Sequence, residues 1–315
     1  MRAVVLRTFG RPENLVAEEL DAPQAGPGEI LVGVRLASIT FVETQIRAGR
    51  PPHPPMAPAL PAVLGNGVGG LVLAVGDGVD RALVGRRVVT TTGGAGGYAE
   101  RVVVDASLPL EVPAALDLRD AVALLADGRT ALSLIEAAGV QPGERVLVEA
   151  AAGGVGSLLV HLARNAGAHV VAAAGGERKL ALARGLGADV AVDYSRARWT
   201  DEAGSVDIVF DGVGGEIGAA AYGLLRPGGR FIAYGMASGA FTVLSGDVRP
   251  QVTVVRGVPL TPARSRELSA GALAQAAAGR LRPTVGQTFA LPRAADAHAA
   301  IESRATVGKT LLDVR

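Results

Sequence analysis

The chain has 315 residues, a length that suggests about two domains with buried cores. Hydrophobic residues make up 49% and charged residues 19%, which excludes a disordered chain. With 31 basic against 30 acidic side chains the net charge is +1, so no electrostatic case exists for a nucleic-acid partner or an anionic membrane. Cysteine is absent, which excludes disulfides, a thiol nucleophile and Cys-ligated zinc; His53, His161, His169 and His298 show no close His/carboxylate ligand spacing, so no metal site is expected.

The opening MRAVVLRTFG reads as a short strand and not as a signal peptide, and no apolar run has the length to span a bilayer. A soluble, cytoplasmic protein is the expectation. From Met1 to about Asp105, short strands alternate with Gly, Pro and Asp: Ala3 to Leu6, Glu29 to Ala37, Gly70 to Val75, Arg86 to Thr90 and Ala99 to Val104. Helix signals are sparse there, so an antiparallel, barrel-like domain follows. Phe41 to Ala48 fits one or two helical turns, and the proline-dense PPHPPMAPALP, Pro51 to Pro61, reads as a surface loop. His53 in that loop is a lone histidine, which is more often solvated surface than a general acid.

Leu116 to Ala138 turns helical and Gly139 closes it. Beyond it, RVLVEAAAGGVGSLLVHLARNAGAHVVAAA, Arg145 to Ala174, reads as strand, glycine turn, helix and strand. Such a βαβ unit binds a dinucleotide. Gly153, Gly154, Val155 and Gly156 form the turn, in which Gly153 admits a pyrophosphate to the backbone and Gly156 lets the helix pack closely on the strand. The first fingerprint glycine is replaced by Ala151. The helix start leaves amide N–H groups unpaired and carries partial positive charge, which suits a phosphate.

Further strand candidates, Val190 to Val192, Asp207 to Phe210, Arg230 to Tyr234 and Val252 to Val255, bring the total to six, with helices near Val155, Arg178 and Ile217 between them. A doubly wound parallel (Rossmann) sheet follows. After Pro259 come an Ala-rich helix (Ser265 to Gly279), a strand near Phe289, a helix (Ala294 to Ser303) and a last strand, Lys309 to Val314. Six strands complete the cofactor sheet, so the last strand is assigned to the barrel. The expected organisation is therefore a catalytic barrel-like domain over residues 1–121, a Rossmann domain over 122–258 and a return to the first domain over 259–315, with a ligand cleft between domains.

The second strand of the unit ends in Ala172, Ala173, Ala174, Gly175 and Gly176. No carboxylate stands there to hold a ribose 2′-hydroxyl or to repel a 2′-phosphate, and Arg178 and Lys179 follow, which favours NADPH. Val213, Gly235 and Met236 lie in loops after the fourth and fifth strands, at the edge where the nicotinamide half belongs.

The runs AAAGGVGSLLVHLARNAGAHVV, GGERKLALARGLGADVAVDY, ITFVETQIRAG, PAVLGNGVGGLVLAVGDGV, GGYAERVVV, DIVFDGVGG, LLRPGGRFIAYG and AIESRATVGKTLL together resemble the zinc-independent quinone oxidoreductase (zeta-crystallin-like) branch of the medium-chain dehydrogenase/reductase superfamily. The resemblance covers essentially the full chain. It implies a Rossmann domain inserted in a GroES-like one, and reduction of a quinone or similar conjugated carbonyl by NADPH. It also implies 2′-phosphate contacts at Lys179, Tyr194 and Arg304, a small residue at Gly176, and a cofactor contact at Thr130. Zinc-dependent members carry Gly-His-Glu where this chain has Gly65, Asn66 and Gly67.

Near the nicotinamide, relatives show Asn and Tyr where this chain has Thr40 and Gln45. Thr40, Gln45 and Asn66 are the candidates for the substrate pocket; no catalytic acid is named, and water or a nearby donor supplies the proton. Two other readings stay open: an enoyl or alkenal double-bond reductase, and a non-catalytic NADPH-binding sensor or structural protein. Val252 to Val258, VTVVRGV, would be an unpaired sheet edge, which together with the resemblance implies a homodimer.

Overall fold

The computed structural model describes residues 1–244, 249 and 251–315. The chain opens with strand β1 (Arg2–Leu6), then β2 (Leu15–Glu19) and the long β3 (Glu29–Ile39). Helix α1 (Phe41–Arg47) follows at once. It starts there because Thr40 is extended and caps it: Thr40 Oγ1 accepts the Glu43 N–H while the Glu43 carboxylate accepts the Thr40 N–H at 2.6 Å. Such a cap contributes about 1 kcal/mol. Short and medium strands β4 (Ala62–Val63), β5 (Gly67–Val75), β6 (Arg87–Thr91), β7 (Arg101–Asp105) and β8 (Leu110–Glu111) come next.

Helix α2 (Leu118–Ala138) ends at Gly139, whose φ of +58° suits glycine. The alternating part then runs β9 (Arg145–Glu149), α3 (Gly154–Asn165), β10 (His169–Ala174), α4 (Glu177–Gly185), β11 (Val190–Asp193), α5 (Trp199–Ala203), β12 (Val206–Asp211), α6 (Gly215–Gly223), β13 (Leu225–Ala233) and β14 (Thr253–Arg256). Helix α7 (Pro262–Ala277), β15 (Val285–Ala290), α8 (Ala294–Glu302) and β16 (Lys309–Asp313) complete it. The sequence signals anticipated most of these elements. The two-residue β4 and β8, the largely exposed β2 and the five-residue α5 were not anticipated, because none is long enough or regular enough in burial to show a period.

The chain divides into two compact units, residues 1–126 with 269–315, and residues 127–268. The two divisions fall inside helices, the first within α2 and the second within α7.

In the second unit all six strands pair in parallel, in the order β11-β10-β9-β12-β13-β14. Strands β9 and β10 are aliphatic and buried nearly throughout, as expected of a parallel sheet covered on both faces. The amphipathic α3 buries Leu158, Leu159, Leu162 and Ala163. Leu147, Val171, Trp199, Val209 and Phe231 share one core here.

In the first unit β2, β1 and β4 form a small antiparallel sheet, and a larger one runs β15-β16-β3-β5-β6-β8 with β7 also on β3. The closing strand β16 pairs antiparallel with β3, Thr310 opposite Ile39, so the last strand belongs to the barrel-like sheet. Only β15 and β16 pair in parallel within it. Among the described residues no helix is long and apolar enough to cross a membrane.

Candidate functional site

In the second unit, the carboxyl ends of the parallel strands carry the glycine turns. Gly153 is the N-cap of α3 and places no side chain over the first helical turn, where Gly154 and Val155 are partly exposed. A Cβ on Gly156 would stand 2.2 Å from the Ala150 carbonyl oxygen and 3.0 Å from the Ala151 Cα, so only glycine lets α3 begin against the turn. The left-handed kink at the strand end falls on Ala150, with φ of +47°, one residue before Ala151. The first-turn amides of α3 thus form an open cradle that fits a pyrophosphate.

One strand over, Gly176 caps α4 at φ of +86°, with open space where a Cβ would lie. The Lys179 N–H donates to the Gly176 carbonyl at 3.1 Å, and the Tyr194 ring lies against Gly175, 3.3 Å from where its Cβ would be. Gly176, Lys179 and Tyr194 therefore stand together at the ends of β10 and β11. Arg304 lies in the first unit, in the turn after α8, at φ of +57°.

One carboxylate at this place escaped sequence reasoning. Asp193 at the end of β11 accepts the Gly176 N–H at 3.2 Å, so that amide is already engaged. Its carboxyl is held below the usual range by the Ser195 hydroxyl, and Arg196 lies 3.7 Å away.

Beneath the loops after β12 and β13 sits a buried acid pair. Glu149 and Asp211, both 0% exposed, close β9 and β12. Asp211 accepts the N–H groups of Val213 and Gly214 at 3.1 and 2.7 Å and the Thr242 hydroxyl at 2.5 Å. Burial, then the charge of Asp211 and a hydrogen bond to it, raise the Glu149 carboxyl well above the usual range. The pair thus favours a proton on Glu149.

Val213 is 1% exposed, its N–H is bound by these acids and its carbonyl accepts the Ser238 N–H, so its job is to hold the loop. Gly235 is needed by packing: its Cβ would stand 2.4 Å from the Gly212 carbonyl oxygen. Met236 is partly exposed beside it.

A cavity of about 340 Å³ opens in the same unit, lined by Arg129, Thr130, Ser133, Tyr234, Gly257 and Ser265 among others. Thr130 thus faces a cavity at the sheet's carboxyl edge. Burial disfavours the Arg129 charge, with Asp127 partly offsetting it, and the Tyr234 phenol is pushed up by burial and then by Glu149.

The first unit holds the other candidates. Thr40 is the cap described above. Glu43 behind it accepts the Asn66 N–H at 2.8 Å, while the Asn66 side-chain oxygen accepts the Gly94 N–H at 2.9 Å. Gln45 is buried, donating to Thr44 Oγ1 at 3.2 Å and accepting from Arg50 at 3.4 Å. Thr40 and Gln45 are thus occupied by the fold, and Asn66 ties one loop to another.

Sequence reasoning missed the group that holds them. Tyr98 hydrogen-bonds Glu43 and lies 3.1 Å from His298 Nε2. Burial raises the Glu43 carboxyl and the Tyr98 phenol, and burial followed by the Arg47 charge pushes His298 down to about 3. His298 is therefore neutral. Its Nδ1 has no partner among the described residues, consistent with the proton on Nε2 pointing at Tyr98. His53 is exposed at the start of a 3-10 turn.

Residues 26–114 match the family described as alcohol dehydrogenase GroES-like domain, and residues 186–312 match the one described as zinc-binding dehydrogenase. The residues present do not fit a zinc ion: the chain has no cysteine, and no group of three or more metal-ligating side chains occurs among the described residues. The chain is 33% identical to a 2-haloacrylate reductase of a Burkholderia species over 98% of each chain. It is 30% identical to a quinone oxidoreductase of Pseudomonas aeruginosa over 99% of each. The solved quinone oxidoreductase of Escherichia coli, complexed with NADPH, superposes with a TM-score of 0.89 over 100% of both chains at 28% identity.

Proposed function

The chain belongs to the quinone oxidoreductase branch of the medium-chain dehydrogenase/reductase superfamily, and from that premise we propose that it is a zinc-independent, NADPH-dependent reductase of a quinone or similar conjugated carbonyl, acting in the cytoplasm. The observation that carries the cofactor reading is the open first turn of α3 over the Gly153–Gly156 cradle. Its unpaired amides and helix dipole take the pyrophosphate. Lys179 and Tyr194 take the 2′-phosphate, in a corner where β10 itself ends without a carboxylate. Thr130, Gly235 and Met236 border the nicotinamide half.

When bound, the nicotinamide ring supplies a hydride to an electron-poor carbon of the acceptor. The chain's own part is positioning and preorganised polarity, with the proton drawn from water. The Glu43–Tyr98–His298 group serves this by fixing the Thr40 and Asn66 loops: burial raises the Glu43 carboxyl and the Tyr98 phenol and pushes the His298 imidazole down.

Lys179→Ala is expected to weaken NADPH about tenfold or more in a fluorescence titration while changing NADH far less, since the charge-assisted bond it removes reaches only the 2′-phosphate. Equal weakening of both would remove the phosphate assignment. NADPH oxidation measured with 1,2-naphthoquinone, an alkenal and a 2-enoyl thioester is expected to be fastest with the quinone. Tight binding without oxidation by any of them would favour a sensor.

Strand β14 supports a dimer. It ends the six-strand order, and pairing with a second copy would cover its open edge. Light scattering is expected to give twice the monomer mass; a monodisperse monomer would refute the assembly.

A further inference from the structure

The cavity of the second unit carries a charge that hydride transfer to a neutral quinone does not call for. Arg129 stands on α2 immediately before Thr130 and lines the cavity with it. Its guanidinium is partly buried, and burial disfavours its charge. Among the described residues it makes no hydrogen bond or ion pair, and its electrostatic relief comes from Asp127, which does not line the cavity. An arginine desolvated without a bonded partner is costly unless an anion completes it.

The remaining walls narrow the choice of anion. The Ser133 hydroxyl already donates to the Thr130 carbonyl at 2.8 Å, while Thr130 and Ser265, both hydroxyl-bearing residues, line the same space. Leu134, Val258 and Leu260 add an apolar stretch beside Tyr234 and Gly257. A fork of guanidinium donors, flanking hydroxyls and an apolar wall match a planar carboxylate on a small hydrocarbon body. A multiply charged phosphate would find one cation, two leucines and a valine.

We propose that Arg129 is a specificity-determining residue that receives the carboxylate of the acceptor, so that the substrate class is a conjugated carbonyl compound bearing a carboxylate. This rests on the reductase reading for the identity of the ligand, but not for the existence of the site. Pairing also withdraws electron density from a carboxylate joined to a double bond, which eases attack by hydride.

The test separates the two. Calorimetric titration of the cofactor-free protein with cyclohexanecarboxylate and with cyclohexanecarboxamide is expected to show binding of the acid alone. Arg129→Met should abolish it and Arg129→Lys should retain part of it. Binding of acid and amide alike, or acid binding unchanged in Arg129→Met, overturns the site.

In turnover, Arg129→Met is expected to lower kcat/KM for a 2-enoate, relative to its methyl ester, by about tenfold or more, with the change in KM. The affinity for NADPH identifies the other source of an anion: equal loss of NADPH binding would assign Arg129 to the cofactor's phosphates and overturn the proposal. Reduction of 1,2-naphthoquinone with no preference for acid over ester would overturn it while leaving the reductase reading in place. Acid binding with no reduction of any acceptor would uphold the site and remove that reading.

Discussion

Replacing Gly156 by alanine is expected to lower stability by about 2 kcal/mol and to weaken NADPH about tenfold or more. The added Cβ would meet the Ala150 carbonyl oxygen at 2.2 Å, roughly an ångström inside contact. That oxygen cannot swing aside cheaply, because it accepts the Gly153 N–H at 2.8 Å and belongs to a residue already held at φ of +47°. The helix must therefore back away from β9. Its first-turn amides move with it, so the damage reaches the cradle as well as the packing. Gly185→Ala is the control: no atom lies within 4 Å of its Cβ position at the end of α4, and removing a helical glycine there should add about 0.5 kcal/mol. Thermal melts and a cofactor titration of both variants read the contrast. Unchanged NADPH affinity in Gly156→Ala would mean that the cradle does not depend on the placement of α3.

Glu149→Gln is expected to leave stability near that of the parent at pH 5 and to exceed it increasingly toward pH 8. The Glu149 carboxyl is raised in the folded state, so above the ordinary glutamate pKa the unfolded chain releases a proton that the folded chain retains. The unfolded state then binds fewer protons, and stability falls with rising pH by about 1.4 kcal/mol per pH unit until the folded group titrates. Below the ordinary pKa both states are protonated and the penalty vanishes. Glutamine cannot titrate, and its amide can donate to Asp211 as the protonated acid does while its oxygen accepts the Val213 N–H. Denaturant midpoints across that pH range measure it. Parallel curves for the two proteins would show that Glu149 ionises in the fold as it does in water.

The parts of this molecule that were legible in the sequence are those written in local signals. Arg145 to Ala174 announces itself because apolar spacing, the glycine cluster and the Gly167 stop all lie within thirty residues, and the six strands of the sheet follow by the same periodicity. Lys179, Tyr194 and Gly176 were named as phosphate contacts because the family resemblance implies them at the ends of those strands. The buried polar groups were not found. Tyr98 and His298 are 200 residues apart, Val213 and Glu149 are 64 apart, and no local pattern marks either partner. Asp193 was overlooked for a related reason: it ends the neighbouring strand, and only sheet register brings it to Gly176. Thr40 and Gln45 were read as substrate groups from their place in a motif. Their hydroxyl and amide also bond to the start of α1 and to Thr44 and Arg50.

The pairing of β16 with β3 sets an order of events on the ribosome. All strands of the parallel sheet lie within residues 127–268, so that unit can finish folding while the remaining chain is still being made. The first unit has to wait. Until Lys309–Asp313 emerges, the stretch Leu36–Ile39 lacks its antiparallel neighbour, and β15 has no partner at all in the sheet order. The earliest-made half of the protein is thus the last to close, and until then it carries an unpaired strand edge.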